Sequence, residues 1–187
     1  KLAEHMMKQK IAVPSVQKIF TGGAPVFPTD VIKFQAAFQH AAIKAVYGST
    51  EAEPISSINA DELAKENQSN PQQGLNTGIP HHQTKVKIIQ LTNEAIACAN
   101  EEELNLICVP AGTIGEIIVN GKHVVREYLH NEDAIRQNKI FVDKEWWHRT
   151  GDSGYLSAAG NLYFTGRCNT LIRRNETFIA PLFYENY

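Results

Sequence analysis

Residues 46–54, with the sequence VYGSTEAEP, combine residue types that can hold a nucleotide and its metal ion. The ring of Tyr47 can stack on a purine, and the hydroxyls of Ser49 and Thr50 can donate hydrogen bonds to phosphate oxygens. Glu51 offers a hard carboxylate of the kind that Mg²⁺ takes beside phosphates. A solvated turn can contain the same residue types, so the segment alone leaves both interpretations open.

A run of small residues lies upstream and consists of Gly22, Gly23, Ala24 and Pro25. Because glycine has no side chain, a flat ligand can approach the backbone there and be bound through its N–H and C=O groups. A tight turn between a strand and a helix is the more common reason for an isolated glycine pair. The run is therefore a candidate for a ligand-binding loop and does not by itself identify one.

Two motifs further along the chain, RTGD at 149–152 and TGR at 165–167, could bind a sugar diol. Asp152 can accept two hydroxyl hydrogen bonds from a ribose, and Arg167 can reach the same diol or a phosphate. Each residue also has a common structural explanation, as a turn aspartate or a solvated arginine at a strand end. The two residues bracket one predicted hairpin, so we expect both at the same end of it.

Two predicted strands place the first two motifs at one edge of a sheet. Residues 16–26 and 43–51 each form a short strand that ends in a glycine turn. Residues 27–41 form a helix between them, with Thr29 or Asp30 as its N-cap. Open α/β sheets bind ligands at the carboxyl ends of their strands, so this βαβ-like unit predicts that both turns meet the ligand.

The remainder of the chain is predicted to be mostly strand. Residues 1–10 are helical, and the polar segment 59–83 forms a short helix and then a loop. A small antiparallel sheet or barrel follows from Thr84 onward, with strands in 85–91, 104–110 and 115–125. Residues 126–140 form a short helix or turn region, and a hairpin with its turn at AAGN occupies 146–167.

We therefore predict an α/β fold in which a βαβ-type sheet unit precedes a small antiparallel β subdomain. The predicted parts are an α/β portion at 1–83, a β-rich subdomain with the ribose-binding hairpin at 84–168, and a hinge with the start of a further domain at 169–187. The length of 187 residues suits one domain or somewhat more.

Composition excludes several classes of function. The formal net charge is -2, from 18 basic and 20 acidic residues, so no basic excess indicates nucleic acid as a partner. We see no apolar run near the roughly 20 residues of a membrane span, and no signal peptide in the first residues. The 3 cysteines form no CxxC pair, which favours a reducing compartment, and we expect a cytoplasmic protein.

The ordered set of motifs resembles the adenylate-forming enzymes, which include acyl-CoA synthetases and other AMP-binding ligases. The chain has, in order, IFTGGAPV, YGSTEAEP, GEIIVNG, HRTGDSGYLSAAGNLYFTGR and LIRR. This resemblance covers about residues 16–172. It implies that the chain corresponds to the C-terminal part of the large domain of such an enzyme.

The resemblance also implies roles for individual residues. The nucleotide-binding set would be Gly22, Gly23, Ala24, Pro25, Tyr47, Gly48, Ser49, Thr50, Asp152 and Arg167. Thr50 and Glu51 would be catalytic, with Glu51 also the Mg²⁺ ligand. Asp152 would hold the ribose hydroxyls with the help of Arg167. The strand 115–121 would be structural, without ligand contacts.

The implied chemistry joins ATP to a carboxylic acid. The carboxylate attacks the α-phosphate of ATP, giving an acyl-adenylate and pyrophosphate, and a thiol such as CoA then takes the acyl group. ATP or AMP, Mg²⁺ and CoA are thus the expected ligands. Mg²⁺ and cationic groups would offset the charge on the transferring phosphorus.

The chain also departs from the family pattern. The family's phosphate loop would lie upstream of Lys1 and its adenylation lysine beyond Tyr187, so we expect a fragment that is catalytically inactive by itself. The hinge aspartate is replaced by Asn169. Ile179, Pro181 and Glu185 keep the spacing of a later motif, but Asn175 and Glu176 stand where glycine is usual, which bears on the CoA step.

Two other hypotheses stay open at the level of sequence. The first is a degenerate nucleotide-binding or structural domain without turnover. The second is a homodimer formed through exposed sheet edges, because unpaired strand edges recruit partners.

Overall fold

The computed structural model describes residues 1–66, 74–175 and 177–184, and within them a nine-stranded sheet is the main feature. Its strands are β1 (Lys18–Thr21), β2 (Ala42–Ser49), β3 (Ala52–Asn59), β4 (Leu75–Pro80), β5 (Lys85–Ile89), β6 (Gly115–Asn120), β7 (Lys139–Val142), β8 (Glu145–Leu156) and β9 (Leu162–Arg167). A separate antiparallel pair consists of β10 (Ile172–Arg174) and β11 (Thr177–Ile179). The helices are α1 (Leu2–Gln9), α2 (Pro28–Ala37), α3 (Ala60–Leu63), α4 (Glu101–Leu106) and α5 (Glu132–Asn138), with 3₁₀ turns at Cys168–Thr170 and Pro181–Phe183.

The sheet joins a parallel beginning to an antiparallel remainder. Its hydrogen-bonded order is β1-β2-β3-β4-β9-β8-β6-β5, and β7 pairs with β8. β1 and β2 are parallel, whereas the pairs that follow them are antiparallel. The predicted α/β fold class, with a βαβ-type unit before an antiparallel part, is confirmed. The domain boundaries at 83/84 and 168/169 stay predictions.

The βαβ-like unit consists of β1, α2 and β2. Ile19 pairs with Ile43 across the two parallel strands, and Val31 of α2 is fully buried against the same side of the sheet. Because the strands run in the same direction, the loops that follow Thr21 and Ser49 lie at one edge. This edge carries the first two candidate motifs, as predicted.

The predicted N-cap of α2 at Thr29 or Asp30 is wrong. The helix begins at Pro28, and Phe27 is the N-cap residue. Proline suits the first helical position because its missing N–H would have no partner there. The Asp30 carboxylate accepts a hydrogen bond from the Phe27 backbone N–H at 3.2 Å, which closes the first turn.

β2 and β3 form a tight hairpin whose two-residue turn is Thr50 and Glu51, with Ser49 paired to Ala52. The sequence predicted that the second strand ends in a turn at Gly48, but Gly48 lies inside β2. A Cβ atom at Gly48 would lie 2.8 Å from the carbonyl oxygen of Ala52. The close approach of two backbones, rather than a turn, therefore requires glycine at this position.

β6 is the centre of the antiparallel part, and each of its residues is buried. Ile117 packs in one core cluster with Leu162, and Ile118 packs in another with Trp147. Burial on both faces explains the nearly continuous apolar pattern of this strand. The predicted hairpin at 146–167 is confirmed, because β8 and β9 are antiparallel neighbours.

The predicted strand at 104–110 is wrong in its first half, which belongs to α4. The side chain of Asn100 caps the helix and accepts a hydrogen bond from the Glu103 N–H at 2.9 Å. Three glutamates in the first turn suit the positive end of the helix dipole, and Leu104 is fully buried. Cys108 alone keeps a strand-like bridge, to Ile89.

Three strands of the main sheet lie where the sequence pattern predicted none. β3 begins directly after the turn in which the second predicted strand was expected to end. β4 occupies part of the segment predicted as a loop after α3, and β7 begins at the end of the region predicted as a helix or turn. Part of that loop, 67–73, lies outside the described residues, as do Glu176 and Glu185. None of the helices in the described ranges is long and apolar enough to cross a membrane.

Candidate nucleotide-binding site

A pocket of about 230 Å³ lies at the carboxyl ends of β1 and β2. It gathers most of the predicted nucleotide-binding residues, namely Gly23, Ala24, Pro25, Tyr47, Gly48, Ser49, Asp152 and Arg167. Gly22, Thr50 and Glu51 are not among the lining residues. The βαβ loops and the β8–β9 hairpin thus contribute to one concave site, although their residues are more than 100 positions apart in sequence.

The centre of the pocket is a hydrogen-bonded triad of side chains. The Tyr47 hydroxyl donates to Oδ2 of Asp152 at 2.7 Å, and Nη1 of Arg167 donates to Oδ1 at 2.7 Å. The side chain of Asp152 is 10% exposed, whereas that of Arg167 is 59% exposed. A nearly buried carboxylate is therefore held from two sides, with the arginine facing solvent.

The strand register explains why Asp152 and Arg167 meet. They are direct cross-strand partners on β8 and β9, as the bracketing of one hairpin predicted. The Asp152 backbone N–H donates to the hydroxyl of Thr150 at 3.0 Å, and that hydroxyl donates to the Ile117 carbonyl at 2.8 Å. The RTGD segment is part of β8 rather than a turn, and Thr150 anchors this segment to the buried strand β6.

The electrostatics of the triad keep the Tyr47 hydroxyl protonated. Burial and the neighbouring Asp152 carboxylate raise the pKa of Tyr47 well above its ordinary value of 10.0. Burial also raises the pKa of Asp152, while hydrogen bonds from Tyr47 and Arg167 counteract part of that rise. Tyr47 therefore stays a neutral donor, and Asp152 accepts from it and from Arg167.

The glycine loop after β1 must pass close to β2. A Cβ atom at Gly22 would lie 2.5 Å from the carbonyl oxygen of Val46, closer than real Cβ contacts allow. Gly23 has a φ of 75°, in the left-handed region that favours glycine. Glycine is required at Gly22 by the close approach of β2 and at Gly23 by the left-handed backbone conformation. Together the two residues bring Ala24 and Pro25 to the pocket wall.

Ser49 carries a hydroxyl at this wall that is close enough to Glu51 to lower the pKa of its carboxyl but forms no hydrogen bond of normal geometry with any described residue. Its Oγ atom is buried and has no hydrogen-bond partner within the described part of the chain. A buried hydroxyl without a partner is costly, so a ligand oxygen that accepts from it would be favoured. This observation fits the predicted phosphate contact of Ser49.

Glu51 lies on the β2–β3 turn beside this wall and is hydrogen-bonded to a residue from a distant segment. The Tyr128 hydroxyl donates to Oε1 of Glu51 at 3.1 Å. Burial alone would raise the pKa of Glu51, but hydrogen bonds from its backbone and from Tyr128 bring it below its ordinary value of 4.5. Burial and the Glu51 charge raise the pKa of Tyr128 to about 12, so its hydroxyl stays protonated.

Glu51 is the one acidic residue that was predicted to bind Mg²⁺. In the described ranges no group of three or more histidine, cysteine, aspartate or glutamate side chains could hold a metal ion. One ionised carboxylate still suits Mg²⁺, which is usually bound through one or two carboxylates together with substrate phosphates. Glu51 therefore fits the ion only when a phosphate-bearing ligand shares it.

Several lining residues were not singled out from the sequence. The apolar ones include Val26, Val46, Leu63, Leu75 and Phe164, and the polar ones include Asn76 and Thr77. Phe164 packs at 5.7 Å from the Tyr47 ring, in a tilted arrangement. The alternating pattern of the β9 hairpin was the one available indication for Phe164, whereas β4 was not predicted at all.

A buried ion pair supports the RTGD segment of β8 and was not predicted from the sequence. Arg149 donates to Oε2 of Glu116 from Nε at 3.0 Å and from Nη2 at 2.7 Å, with the two side chains 5% and 4% exposed. Oε1 of Glu116 accepts from the Gly151 N–H at 3.3 Å. Because β6 was predicted to be purely structural, Glu116 was not singled out. It supports the RTGD segment through its bonds with Arg149 and Gly151.

Asn169 lies in the 3₁₀ turn directly after β9, between the hairpin and the small β10–β11 sheet. This position suits a connection between two parts of a protein, and its role as a hinge stays a prediction.

We expect the stability of the chain to fall in mild acid because of His148 on β8. Burial and the nearby Lys139 ammonium lower the pKa of His148 from 6.5 to about 4. Between pH 6.5 and 4 the unfolded chain therefore binds more protons than the folded chain, and the free energy of unfolding decreases as the pH falls. A pKa shift of this size lowers the free energy of unfolding by about 3 kcal/mol across this pH range. Urea unfolding across this pH range measures the effect.

The His148→Gln variant should lose this part of the pH dependence. His5→Gln, at an exposed position on α1, is the matched control and should retain it. An unchanged acid slope in the His148→Gln variant would contradict the assignment.

The arrangement is that of an open α/β sheet with a pocket at the carboxyl ends of its parallel strands, the edge at which such sheets bind ligands. The sequence model of the family described as "AMP-binding enzyme" matches residues 1–129, and the chain belongs to this family. The resemblance to adenylate-forming enzymes is thereby confirmed.

The relatives include enzymes of several specificities. The chain is 32% identical over 180 residues to an olefin beta-lactone synthetase of Xanthomonas campestris, which covers 92% of the chain and 31% of that protein. It is 26% identical over 169 residues to 4-coumarate–CoA ligase-like 3 of Oryza sativa, covering 90% and 25%. The chain thus spans less than a third of the length of these two relatives.

Solved structures show the same fold. An amide bond synthetase from Marinactinospora thermotolerans superimposes with a TM-score of 0.71 at 22% identity, covering 97% of the chain and 32% of that protein. O-succinylbenzoate Coenzyme A synthetase from Bacillus subtilis, in complex with ATP and magnesium ion, gives 0.68 at 22% identity, covering 97% and 33%.

Proposed function

We propose that the chain carries the nucleotide site of an ATP-dependent ligase that activates a carboxylic acid as its acyl-adenylate. The observation that carries this proposal is the Asp152 carboxylate, held between Tyr47 and Arg167 in a pocket at the carboxyl edge of β1 and β2. Membership of the AMP-binding enzyme family supports it.

The hydrogen-bonding capacity of Asp152 matches a ribose. An ionised carboxylate has about four acceptor positions. The Tyr47 hydroxyl and the Arg167 guanidinium each use one of them. Two positions remain, which is the number that the two hydroxyls of a ribose diol need.

With the ribose placed on Asp152, the remaining site residues would contact the base, the phosphates and the metal ion. The base would lie between the Gly22–Pro25 loop and the ring of Tyr47, and the hydroxyls of Ser49 and Thr50 would face the phosphates. Glu51 would hold Mg²⁺, which supplies charge neutralisation at the phosphates when bound. The buried Oγ of Ser49 and the ionised state of Glu51 support this orientation of the nucleotide.

The reaction is a substitution at the α-phosphorus of ATP. A carboxylate oxygen of the acid forms a bond to that phosphorus, and the bond to the bridging oxygen breaks, so pyrophosphate leaves. Fixed donors around the phosphate, such as the Ser49 hydroxyl and the Arg167 guanidinium, would stabilise the charge of the transition state.

We further propose that a thiol, CoA in the first instance, takes the acyl group in a cytoplasmic enzyme. The names of several relatives specify CoA ligases, although those of others name a β-lactone or an amide bond. The acyl-CoA step is therefore the finer part of the proposal.

We also propose that the 187-residue chain by itself binds nucleotide without turnover, because relatives are about three times longer.

The test is pyrophosphate release from ATP by the encoded protein that contains this chain, with a panel of carboxylic acids. We expect release that depends on one class of acid and that yields AMP in equal amount once hydroxylamine or CoA consumes the adenylate. Nucleotide binding without release for any acid would support the non-catalytic alternative, and absence of binding would contradict the site itself.

A further inference from the structure

We propose that Tyr128 is a positioning residue for the Glu51 carboxylate and, through it, for a divalent cation bound with the nucleotide. This inference rests on the proposed function. Tyr128 lies in the segment between β6 and α5, 77 positions from Glu51, and belongs to none of the motifs.

The segment that contains Tyr128 is attached to the Glu51 turn at two points. The Tyr128 hydroxyl donates to Oε1 of Glu51 at 3.1 Å, and the Val125 N–H donates to the Glu51 carbonyl at 2.8 Å. One bond holds the side chain and the other holds the backbone of the same residue. Together they define both the position of the turn and the rotation of the carboxylate.

Lys139 of β7 holds this segment in turn. Its Nζ donates to the Val125 carbonyl at 2.5 Å and lies 5.1 Å from the centre of the Tyr128 ring, with the residue 4% exposed. A desolvated cation over an aromatic face is a favourable contact. The support is therefore built from a buried strand rather than from a free surface loop.

This arrangement leaves one carboxylate oxygen of Glu51 for a cation. Oε1 accepts from Tyr128, so Oε2 is the oxygen that a metal ion can take without loss of the tyrosine bond. The tyrosine does not itself contact the ion. Outer residues that orient a ligand in this way typically change metal affinity by about 10- to 100-fold when they are removed.

The test measures cation binding rather than turnover. Free Mn²⁺ is counted by electron paramagnetic resonance in the presence of α,β-methylene ATP, an analogue that cannot release pyrophosphate. We expect Tyr128→Phe, which removes only the hydroxyl, to weaken Mn²⁺ binding about 10-fold. The affinity for the analogue in excess EDTA should stay within about twofold, because Tyr128 does not line the pocket.

Two further variants sharpen the result. Tyr163→Phe is the matched control, since Tyr163 is a partly buried tyrosine stacked on Tyr155 and far in sequence from the Glu51 turn. It should bind Mn²⁺ as the unmodified protein does. Glu51→Gln should lose the metal-dependent part of binding, and adding Tyr128→Phe to it should cause no further loss.

Unchanged Mn²⁺ affinity in the Tyr128→Phe variant would overturn the inference. An equal loss of affinity with and without metal would also overturn it, because that pattern indicates a general structural role. If the unmodified protein binds the analogue but not Mn²⁺, Glu51 is not a cation ligand and the inference fails while the nucleotide site stands. If it binds no nucleotide, the proposed function fails and the inference fails with it.

Discussion

Replacing Asp152 with alanine is expected to weaken ATP or AMP binding about 100-fold, as measured by titration calorimetry. The carboxylate would accept two hydroxyl hydrogen bonds, and hydrogen bonds to a charged group are worth about 1.5–3 kcal/mol each. A total loss of about 3 kcal/mol corresponds to this factor. The loss should be larger than for any exposed residue of the pocket, because Asp152 is nearly buried.

A nucleotide without ribose hydroxyls makes the test specific. The unmodified chain should bind 2′,3′-dideoxy-ATP as weakly as the Asp152→Ala variant binds ATP, and the variant should not distinguish the two nucleotides. Asp133→Ala, at an exposed aspartate of α5, is the control and should bind normally. Equal ATP binding by the Asp152→Ala variant and the unmodified chain would refute the ribose assignment.

Replacing Arg149 with methionine should destabilise the chain by about 3–5 kcal/mol, since it leaves Glu116 as an uncompensated buried charge. The guanidinium also donates to the carbonyl oxygens of Thr92 at 2.7 Å and Glu94 at 2.7 Å, so the variant loses these two hydrogen bonds as well. The free energy of unfolding in urea is the measurement.

The exposed pair of Arg136 with Asp133 provides the control for this prediction. These side chains are 74% and 89% exposed, and Arg136→Met should change the free energy of unfolding by no more than about 0.5 kcal/mol. Combining Arg149→Met with Glu116→Leu should recover part of the loss, because no charge then stays buried alone. A cost below about 1 kcal/mol for the single variant would show that the pair is dispensable.

The two predictions are linked through the RTGD segment of β8. Glu116 accepts from the Gly151 N–H while it binds Arg149, and Thr150 bonds to the Ile117 carbonyl of the same strand. The strand β6 therefore supports the part of β8 that carries Asp152. We expect any change in the Arg149–Glu116 pair to affect nucleotide affinity as well as stability.

The sequence alone was sufficient to predict features that depend on interactions between residues close to one another in the chain. The glycine pair at Gly22 and Gly23, the hairpin with its Asp152 and Arg167 at one end, and the parallel unit around α2 were all expected from pattern. These features depend on backbone freedom, strand alternation and helix periodicity over a few residues. They could be identified before any tertiary contact was known.

Two elements were predicted wrongly from the sequence, for different physical reasons. The apolar run at 104–110 resembled a strand, but the Asn100 cap and the burial of Leu104 make its first half helical. β4 contains polar residues that line the pocket, so its alternation did not indicate a strand. For β4, pairing with β3 and β9 outweighed the propensity of the segment. For α4, the Asn100 cap was a local helix signal that the apolar pattern at 104–110 obscured.

The amino-acid sequence by itself determined the set of chemical groups, the order of the motifs and the family to which they point. Only the tertiary structure decided which groups meet. Tyr47 donates to Asp152 across 105 positions, and Tyr128 reaches Glu51 across 77. The physical reason is that strand register and side-chain burial are set by the whole sheet, and no local pattern encodes a contact between segments so far apart.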